Sequence, residues 1–436
     1  MKVCKFGGTS MANSKTITQV ADIVRADKQR RYVVVSAPGK RTSEDIKVTD
    51  ALYTCHREKG EKGNCDSAFA VIEKRFLDIE KELGVDVGMK AELAAIKKNI
   101  EAGASADYTA SRGEYLSARV LAAVLGVEFV DTADLIKFDK DGALLLDLSI
   151  DNIKARLAGV EYAVLPGFYG SDSAGEIKTF SRGGSDISGA IVARAMSASV
   201  YENWTDVDGF LTADPRIVRN PEIIECLSYK ELRELAYMGA EVLHPESVFP
   251  VRTAGIPINI KNTFNPSAKG TMIVPDGSVP PANGRVVTGI AGRKGFTIIN
   301  IEKDMMNREI GFGRKALSIL EYEGISFEHM PSGIDTLSLV IRDEYLGPHA
   351  QKVVSALRAS LNADNIDIHS GLSLIATVGH NMASRHGTAA TIFAALAASN
   401  INIRMIDQGS SEMNIIVGVD TFDYEKAICA IYHAFC

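Results

Sequence analysis

Lys5-Phe6-Gly7-Gly8-Thr9-Ser10 combines residue types that suit the binding of an anion. Val3 to Phe6 reads as a strand, and Ile17, Val20, Ala21 and Val24 recur at helical spacing, so the glycine pair stands at a strand-to-helix turn. Glycines there let a bulky phosphate approach the backbone N–H groups, the helix N-terminus adds the positive end of its dipole, and Lys5 offers a mobile point charge. The stretch reads as a cradle for nucleotide phosphates. It lacks the Gly-x4-Gly-Lys-[Ser/Thr] spacing of a P-loop, and the same six residues would also serve as an ordinary glycine turn closing a buried strand.

Two further constellations carry charge. Phe180-Ser181-Arg182-Gly183-Gly184-Ser185-Asp186 is a second glycine-rich turn, leading into the apolar helix face Ile187, Ala190, Ile191 and Ala195. The planar fork of Arg182 matches a carboxylate in two parallel hydrogen bonds, while Ser185 can cap the helix, present its N–H to a ligand, or both. Ser111-Arg112-Gly113-Glu114 precedes Leu116, Val120, Ala123 and Val124, which places Glu114 near the start of a helix. A carboxylate there complements the helix dipole even with no ligand to bind.

Parallel β/α architecture is what would bring these turns together. Tyr32-Val33-Val34-Val35 is apolar without alternation, as a strand covered on both faces must be, and Ser36-Ala37-Pro38-Gly39 follows as a turn at the carboxyl edge, where open α/β sheets bind ligands. Lys40 to Thr49 reads as a mobile polar loop, with Thr49-Asp50 capping the next helix. Residues 66–102 read as one or two amphipathic scaffold helices. Tyr162 to Phe168 is a buried strand followed by a hairpin-like excursion, and Ile256 to Thr263 is another strand. Pro266, Gly270, Pro275, Gly277, Pro280, Pro281 and Gly284 mark a linker. Beyond it the chain repeats with an offset of 76 residues: Gly311 with Gly387, Ile325 with Ile401, Leu320 with Leu396, Leu339 with Ile415. Each copy reads strand, helix, strand, strand, helix, and a packed pair of sheets would result.

Composition narrows the class. A chain of 436 residues suggests two to three domains, and 46 % hydrophobic with 24 % charged residues is a soluble globular balance. A net charge of −7 without a basic run argues against nucleic acid. No apolar run suits a membrane helix, Met1-Lys2 leads into a strand rather than a signal peptide, and the six cysteines show neither Cys-x-x-Cys nor metal-ligand spacing, so reduced thiols in a cytoplasmic protein are expected and no protein metal site.

The hexapeptide resembles the N-terminal signature of the aspartate kinases of the amino-acid kinase family. Arg112-Gly113-Glu114, Val200 to Gly209 with Asp214-Pro215-Arg216, and Gly409 to Ile415 resemble further segments of that family. Gly239-Ala240-Glu241-Val242-Leu243-His244-Pro245 does so too, with Glu241 where the family commonly has lysine. The resemblance implies a three-layer αβα kinase fold with a mainly parallel sheet over residues 1–283, then two ferredoxin-like (βαββαβ) ACT domains, 284–370 and 371–436, with the strand 286–291 joining the second. It implies phosphoryl transfer from ATP, with Mg²⁺, to the β-carboxylate of L-aspartate. Lys5 and Asp186 would be catalytic; Thr49, Glu114 (to the α-ammonium), Arg182, Gly183, Gly184 and Ser185 would bind aspartate; Lys5, Gly7, Gly8, Thr205, Asp206 and Arg216 would bind ATP. Met306, Glu309, Gly311, Phe312, Glu328 and Ser332 would meet an inhibiting amino acid, with lysine favoured by Glu328 and threonine the alternative. A homo-oligomer through the ACT domains is implied. With no homoserine dehydrogenase region after the second repeat, a single activity is expected. The other readings are a relative phosphorylating glutamate or a nucleotide, and an inactive amino-acid sensor, which Glu241 encourages.

Overall fold

Strand and helix periodicities sort the chain into two units. The computed structural model describes residues 1–181, 183–240, 243, 245–280 and 285–436. Arg182, Glu241 and the expected boundary near 283 lie outside the described residues. The first unit comprises Met1–Phe210, Ile223–Tyr229 and Glu241–Pro280; the second comprises Leu211–Glu222, Lys230–Ala240 and Pro281–Cys436. Among the described residues no helix is long and apolar enough to cross a membrane.

The strands of the first unit are β1 (Lys2–Phe6), β2 (Arg30–Val35), β3 (Glu128–Phe129), β4 (Ala163–Pro166), β5 (Tyr169–Ser171), β6 (Ile177–Thr179), β7 (Val200–Thr205), β8 (Cys226–Ser228), β9 (Ile258–Asn262) and β10 (Thr271–Val274). All but the β5–β6 hairpin form one sheet in the order β3-β4-β2-β1-β7-β9-β10-β8. Pairing is parallel from β3 to β9, and β10 turns antiparallel to β9. Its helices are α1 (Ser14–Arg25), α2 (Val48–Lys62), α3 (Asp66–Leu83), α4 (Met89–Glu101), α5 (Ala106–Leu125), α6 (Leu146–Leu157), α7 (Gly184–Ala195), α8 (Tyr229–Tyr237), which runs on into the second unit, and α9 (Phe249–Thr253). Side chains alternate across β1. Cys4 and Phe6 join Val33, Val35, Val164 and Trp204 in the core shared with α1 to α5, so Val3 and Lys5 project to the other face, against which α7 packs.

Four local expectations are corrected. The glycine pair does not open an α-helix directly: Thr9–Met11 is a single 3₁₀ turn, and α1 starts at Ser14, where Asn13 and Thr16 close a capping box. The α1 N-terminus is therefore already satisfied by side chains and its dipole is not aimed from the glycines. Glu114 lies in the middle of α5 rather than near its start, because Ser105 caps that helix by accepting the Tyr108 N–H. Thr49 and Asp50 are inside α2, whose cap position is Lys47, and Gly183, at φ 57°, occupies the cap of α7 instead of Ser185. Lys40 to Lys47 is exposed apart from half-buried Asp45, as expected of a polar loop, and it is anchored from beneath: buried Arg75 donates to Gly39 O and Ile46 O and to both carboxylate oxygens of Asp45.

In the second unit β11 (Gly289–Glu302), β12 (Thr336–Arg342), β13 (Asn365–Val378), β14 (Ile403–Asp407) and β15 (Asn414–Asp420) form one five-stranded sheet, in the order β12-β11-β13-β15-β14. The repeats thus share a sheet instead of packing as two: β11 and β13 pair antiparallel along both copies, with bulges around Phe296. Two cores line it. Ile299, Ile301 and Leu339 meet α10 (Phe312–Tyr322), short α11 (Asp343–Leu346) and α12 (Ala350–Leu361); Val287, Ile290, Ile375 and Val417 meet α13 (Thr388–Ala398) and α14 (Tyr424–Phe435). The 326–332 stretch contributes only isolated bridges, His329 to Val340 and Ser332 to Leu337, in place of a strand. Segment Lys230–Ala240 is tied into this unit by polar contacts: Glu231 accepts from Thr288 and from the His380 N–H (3.0 Å), and Asn414 Nδ2 donates to Glu234 Oε2 at 2.6 Å.

Candidate active site

Parallel pairing brings the carboxyl ends of β1, β2, β4 and β7 out on one edge, and the turns singled out in the sequence follow those ends. Lys5, 8 % exposed, sets its Nζ 2.7 Å from Asp186 Oδ1 on the first turn of α7. Asn203, paired with Lys5 in the β1–β7 register, donates its Nδ2 to the same oxygen at 2.8 Å. Asp186 therefore orients the lysine while its own position is fixed from β7. An ammonium has three donors, so two stay available to a ligand.

The turn after β1 is shaped by its carbonyls. Gly7 N–H goes to Trp204 O (3.0 Å), and Gly8 O accepts from Met11 N–H (3.1 Å) and Gly39 N–H (2.7 Å). Among the described residues no protein acceptor takes the N–H of Gly8 or of Thr9. In a trans peptide the Thr9 N–H points opposite the Gly8 carbonyl, so pinning that carbonyl aims the donor. Two free amides beside a fixed ammonium make an anion site without any α-helix dipole.

Glu114 faces the opposite requirement. It is buried, and among the described residues its Oε2 has no hydrogen-bond partner. Burial pushes its carboxyl up to about 8, while the amides of Ala37 and of Glu114 itself, and the charges of Arg112 and Lys5, pull the other way. Gly113 makes this packing possible, since a Cβ there would lie 2.6 Å from the Ala37 Cβ and 3.3 Å from Val48 Cγ1. The same contact brings the start of α2, with Thr49, against α5. Arg112 of the same motif lies on the rings of Tyr108, Tyr115 and Tyr169, at 4.5, 4.7 and 5.2 Å.

Gly183, Gly184 and Ser185 form the α7 entry, and Ser185 touches the turn after β4, where a Cβ on Gly167 would collide with its side chain at 2.7 Å. Thr205 ends β7 and its hydroxyl donates to Asp206 Oδ1 (3.3 Å). Arg216 belongs to the second unit and binds Asp214 through Nη2 at 2.7 Å. Of the residues expected to meet an effector, Met306 and Phe312 are in the first core of the second unit, and Glu309 is held by Lys303 and Lys315. Gly311, at φ 82°, starts α10 without a side-chain cap, and Ser332 is exposed. Glu328 has its carboxylate on Arg342 Nε (2.6 Å) and the Tyr237 hydroxyl. Asn203 and Arg75 were not singled out by sequence reasoning. The polar pair Glu202-Asn203 in a strand bounded by Val200, Tyr201 and Trp204, and an Arg in the apolar stripe Phe69, Ile72, Phe76, Ile79, were the signals.

Among the described residues no cluster of three or more His, Cys, Asp or Glu could hold a metal. A Mg²⁺ ion carried on nucleotide phosphates keeps several waters and needs no such cage.

A mainly parallel sheet with glycine-rich turns at its carboxyl edge, followed by a repeated αβ unit, is the architecture of an amino-acid kinase joined to ACT modules. Comparison agrees: residues 1–262 match the amino acid kinase family and residues 375–435 match an ACT domain. The chain is 40 % identical to aspartokinase 3 of Bacillus subtilis, over all of this chain and 98 % of that one. It is 51 % identical to the crystal structure of Clostridium acetobutylicum aspartate kinase, with a TM-score of 0.92 over 100 % and 99 % of the two chains. It resembles E. coli aspartokinase III both with aspartate and ADP (R-state; 25 % identity, TM-score 0.77) and with lysine and aspartate (T-state; 26 %, 0.75), each over 100 % of this chain and 99 % of that one. The chain belongs to the aspartokinases, enzymes of the amino acid kinase family.

Proposed function

We propose that this enzyme transfers the γ-phosphoryl group of ATP to the β-carboxylate of L-aspartate, giving ADP and 4-phospho-L-aspartate, at the head of lysine, threonine and methionine biosynthesis. The observation that carries the reading is a buried, unpartnered carboxylate oxygen on Glu114 together with a fixed cation, Lys5, at one sheet edge. Such a site suits a ligand that is cationic at one end and anionic at the other. Glu114 takes the α-ammonium; the Arg182-Gly183-Gly184-Ser185 turn and Thr49 take the α-carboxylate; the β-carboxylate then points to Lys5. On the nucleotide side stand the Gly7-Gly8-Thr9 turn, Thr205 and Asp206.

A carboxylate is an ionised nucleophile at neutral pH, so no general base is required. Catalysis reduces to holding acceptor and γ-phosphoryl group in line and neutralising charge on the equatorial oxygens. Lys5, oriented by Asp186 and Asn203, supplies that charge, and the Gly8 and Thr9 amides add two preorganised donors. Mg²⁺ brought in on the nucleotide would supply further neutralisation of phosphate charge.

The second unit reads an amino acid, with lysine as the end product and threonine as the alternative. The uncapped N-terminus of α10 at Gly311 supports a carboxylate there, and E. coli aspartokinase III has been solved with lysine. The exposed Ile310, Tyr322 and Phe422 support burial in a homo-oligomer built on a dimer through residues 297–436; a monomer at micromolar concentration in light scattering would contradict this. The test of function is hydroxylamine trapping with MgATP and L-aspartate, with L-glutamate as control and lysine or threonine in parallel. Hydroxamate from aspartate alone, suppressed by lysine, is expected; none from folded protein removes the reading.

A further inference from the structure

Arg75 is a guanidinium in the wrong place for a scaffold helix. The inner face of α3 is otherwise Phe69, Ile72, Phe76 and Ile79, and Arg75 shares that burial at 3 % exposure, its Nε without a partner among the described residues. Burying a charge costs several kcal/mol unless its geometry is good, so its bonds show what it is kept for. All of them go to the loop after β2: Nη1 to Gly39 O (3.1 Å), Nη2 to Asp45 Oδ1 and Oδ2 (2.8 and 2.7 Å) and to Ile46 O (3.3 Å). Hydrogen bonds from Arg41, with the charge of Arg75 added, hold the Asp45 carboxyl well below the usual range, so the clamp stays ionised at any working pH.

What this loop touches gives the clamp its meaning. Gly39 is gripped at both ends: its C=O by Arg75, and its N–H by Gly8 O at 2.7 Å. The approach is so close that a Cβ on Gly39 would lie 2.7 Å from the Gly8 carbonyl carbon. Two residues earlier, Ala37 packs against α5 beside Glu114, where a Cβ on Gly113 would lie 2.6 Å from the Ala37 Cβ. Pro38 O, between them, accepts the first N–H of α2, Val48, at 3.0 Å. One short turn therefore connects the carboxylate proposed for the substrate ammonium to the amides proposed for the phosphates, and Arg75 is the group behind it.

We infer that Arg75 is a positioning residue for phosphoryl transfer: by clamping Gly39 and Asp45 it fixes the spacing between the acceptor site at Glu114 and the phosphate turn at Gly8. The inference rests on the aspartate kinase reading above. It differs from a stabilising role in what it predicts. A loosened turn still lets each substrate bind its own half-site, but the acceptor carboxylate and the γ-phosphorus no longer meet in line. A displacement of about 1 Å costs about a hundredfold in rate. Water, which needs no positioning by Glu114, then competes for the phosphoryl group, giving ADP and inorganic phosphate in place of the acyl phosphate.

The experiment measures ADP and trapped hydroxamate together in wild type and in Arg75→Lys, which keeps the charge but loses the fork that reaches Gly39 and Asp45 at once. Expected are a kcat for hydroxamate down about a hundredfold, KM values for ATP and aspartate within about threefold, and more ADP per hydroxamate. That ratio does not depend on how much of the sample is folded. Asp45→Asn, which loosens one side of the clamp, should move the same quantities in the same direction by less, and it carries the test if Arg75→Lys does not fold. A wild-type ratio in a folded variant overturns the inference and leaves the function standing; absence of hydroxamate from wild type overturns the function itself.

Discussion

Glu114 offers a prediction that can be worked through. Its carboxyl stands at about 8 in the free enzyme because burial outweighs the amides and cations nearby. At pH 7 one part in about eleven is then ionised, and at pH 8 about half. The α-amino group of free aspartate remains protonated over this range, so only the ionised enzyme offers it a counter-charge. Aspartate affinity should therefore rise about 5.5-fold from pH 7 to pH 8, about 1 kcal/mol, and binding at pH 7 should release about 0.9 proton. Titration calorimetry at pH 7 in buffers of different ionisation enthalpy measures the proton count, and repeating it at pH 8 measures the affinity change. Glu114→Gln should abolish proton release and weaken aspartate at least about thirtyfold, since truncating one partner of a buried charge pair costs about 2 kcal/mol or more. Stability has the opposite slope. A carboxyl raised in the folded state contributes stability that is complete below its unfolded value of 4.5 and is lost as pH climbs through about 8. Wild-type affinity that is flat from pH 7 to 8 with no proton released, or a Glu114→Gln variant that binds aspartate normally, would refute the assignment of this residue to the ammonium.

Three other outcomes follow from the geometry. Lys5→Ala should cut hydroxamate formation by about a hundred- to a thousandfold, the range for losing one preorganised donor, with an unchanged circular dichroism spectrum; near-normal turnover removes Lys5 from the mechanism. Gly39→Ala forces a Cβ to 2.7 Å from the Gly8 backbone, so it should lower both melting temperature and kcat, the overpacking amounting to about 1–3 kcal/mol, and a variant indistinguishable from wild type would show that the two turns are not in contact. Glu328→Ala leaves Arg342, among the described residues, only its 3.4 Å carboxylate contact with Glu344, and the second unit should lose about 1–3 kcal/mol of stability by denaturant titration; an unchanged midpoint means the pair contributes nothing.

Residues close in sequence declared themselves. The buried run Tyr32 to Val35, the spacing of Ile17, Val20, Ala21 and Val24, and the 76-residue repeat were legible because a strand or helix face is set by its own side chains. The end of β1 at Phe6, ahead of the glycine pair, was legible for the same reason, whereas Glu114 was marked only by the resemblance of its Arg-Gly-Glu motif. Helix starts were less so. Asn13, Ser105 and Gly183 hold the caps, where the residues alone point to helix starts at the glycine pair, near Glu114 and at Ser185, because a cap is decided by which donor is left after the helix has packed.

Only tertiary structure decided the pairings. Nothing local tells Lys5 that its partner is Asp186 or that Asn203 will brace it; strand order puts β7 beside β1 and α7 over both. The elevated carboxyl of Glu114 depends on the Gly113–Ala37 contact, which exists only once α5 lies on the turn after β2. Arg75 shows the limit most plainly. In sequence it is one charge on an amphipathic helix, and in the fold it is buried because its four acceptors arrive from a loop some thirty residues away. Periodicity records which face a residue is on, and it carries no information about what will be brought against that face.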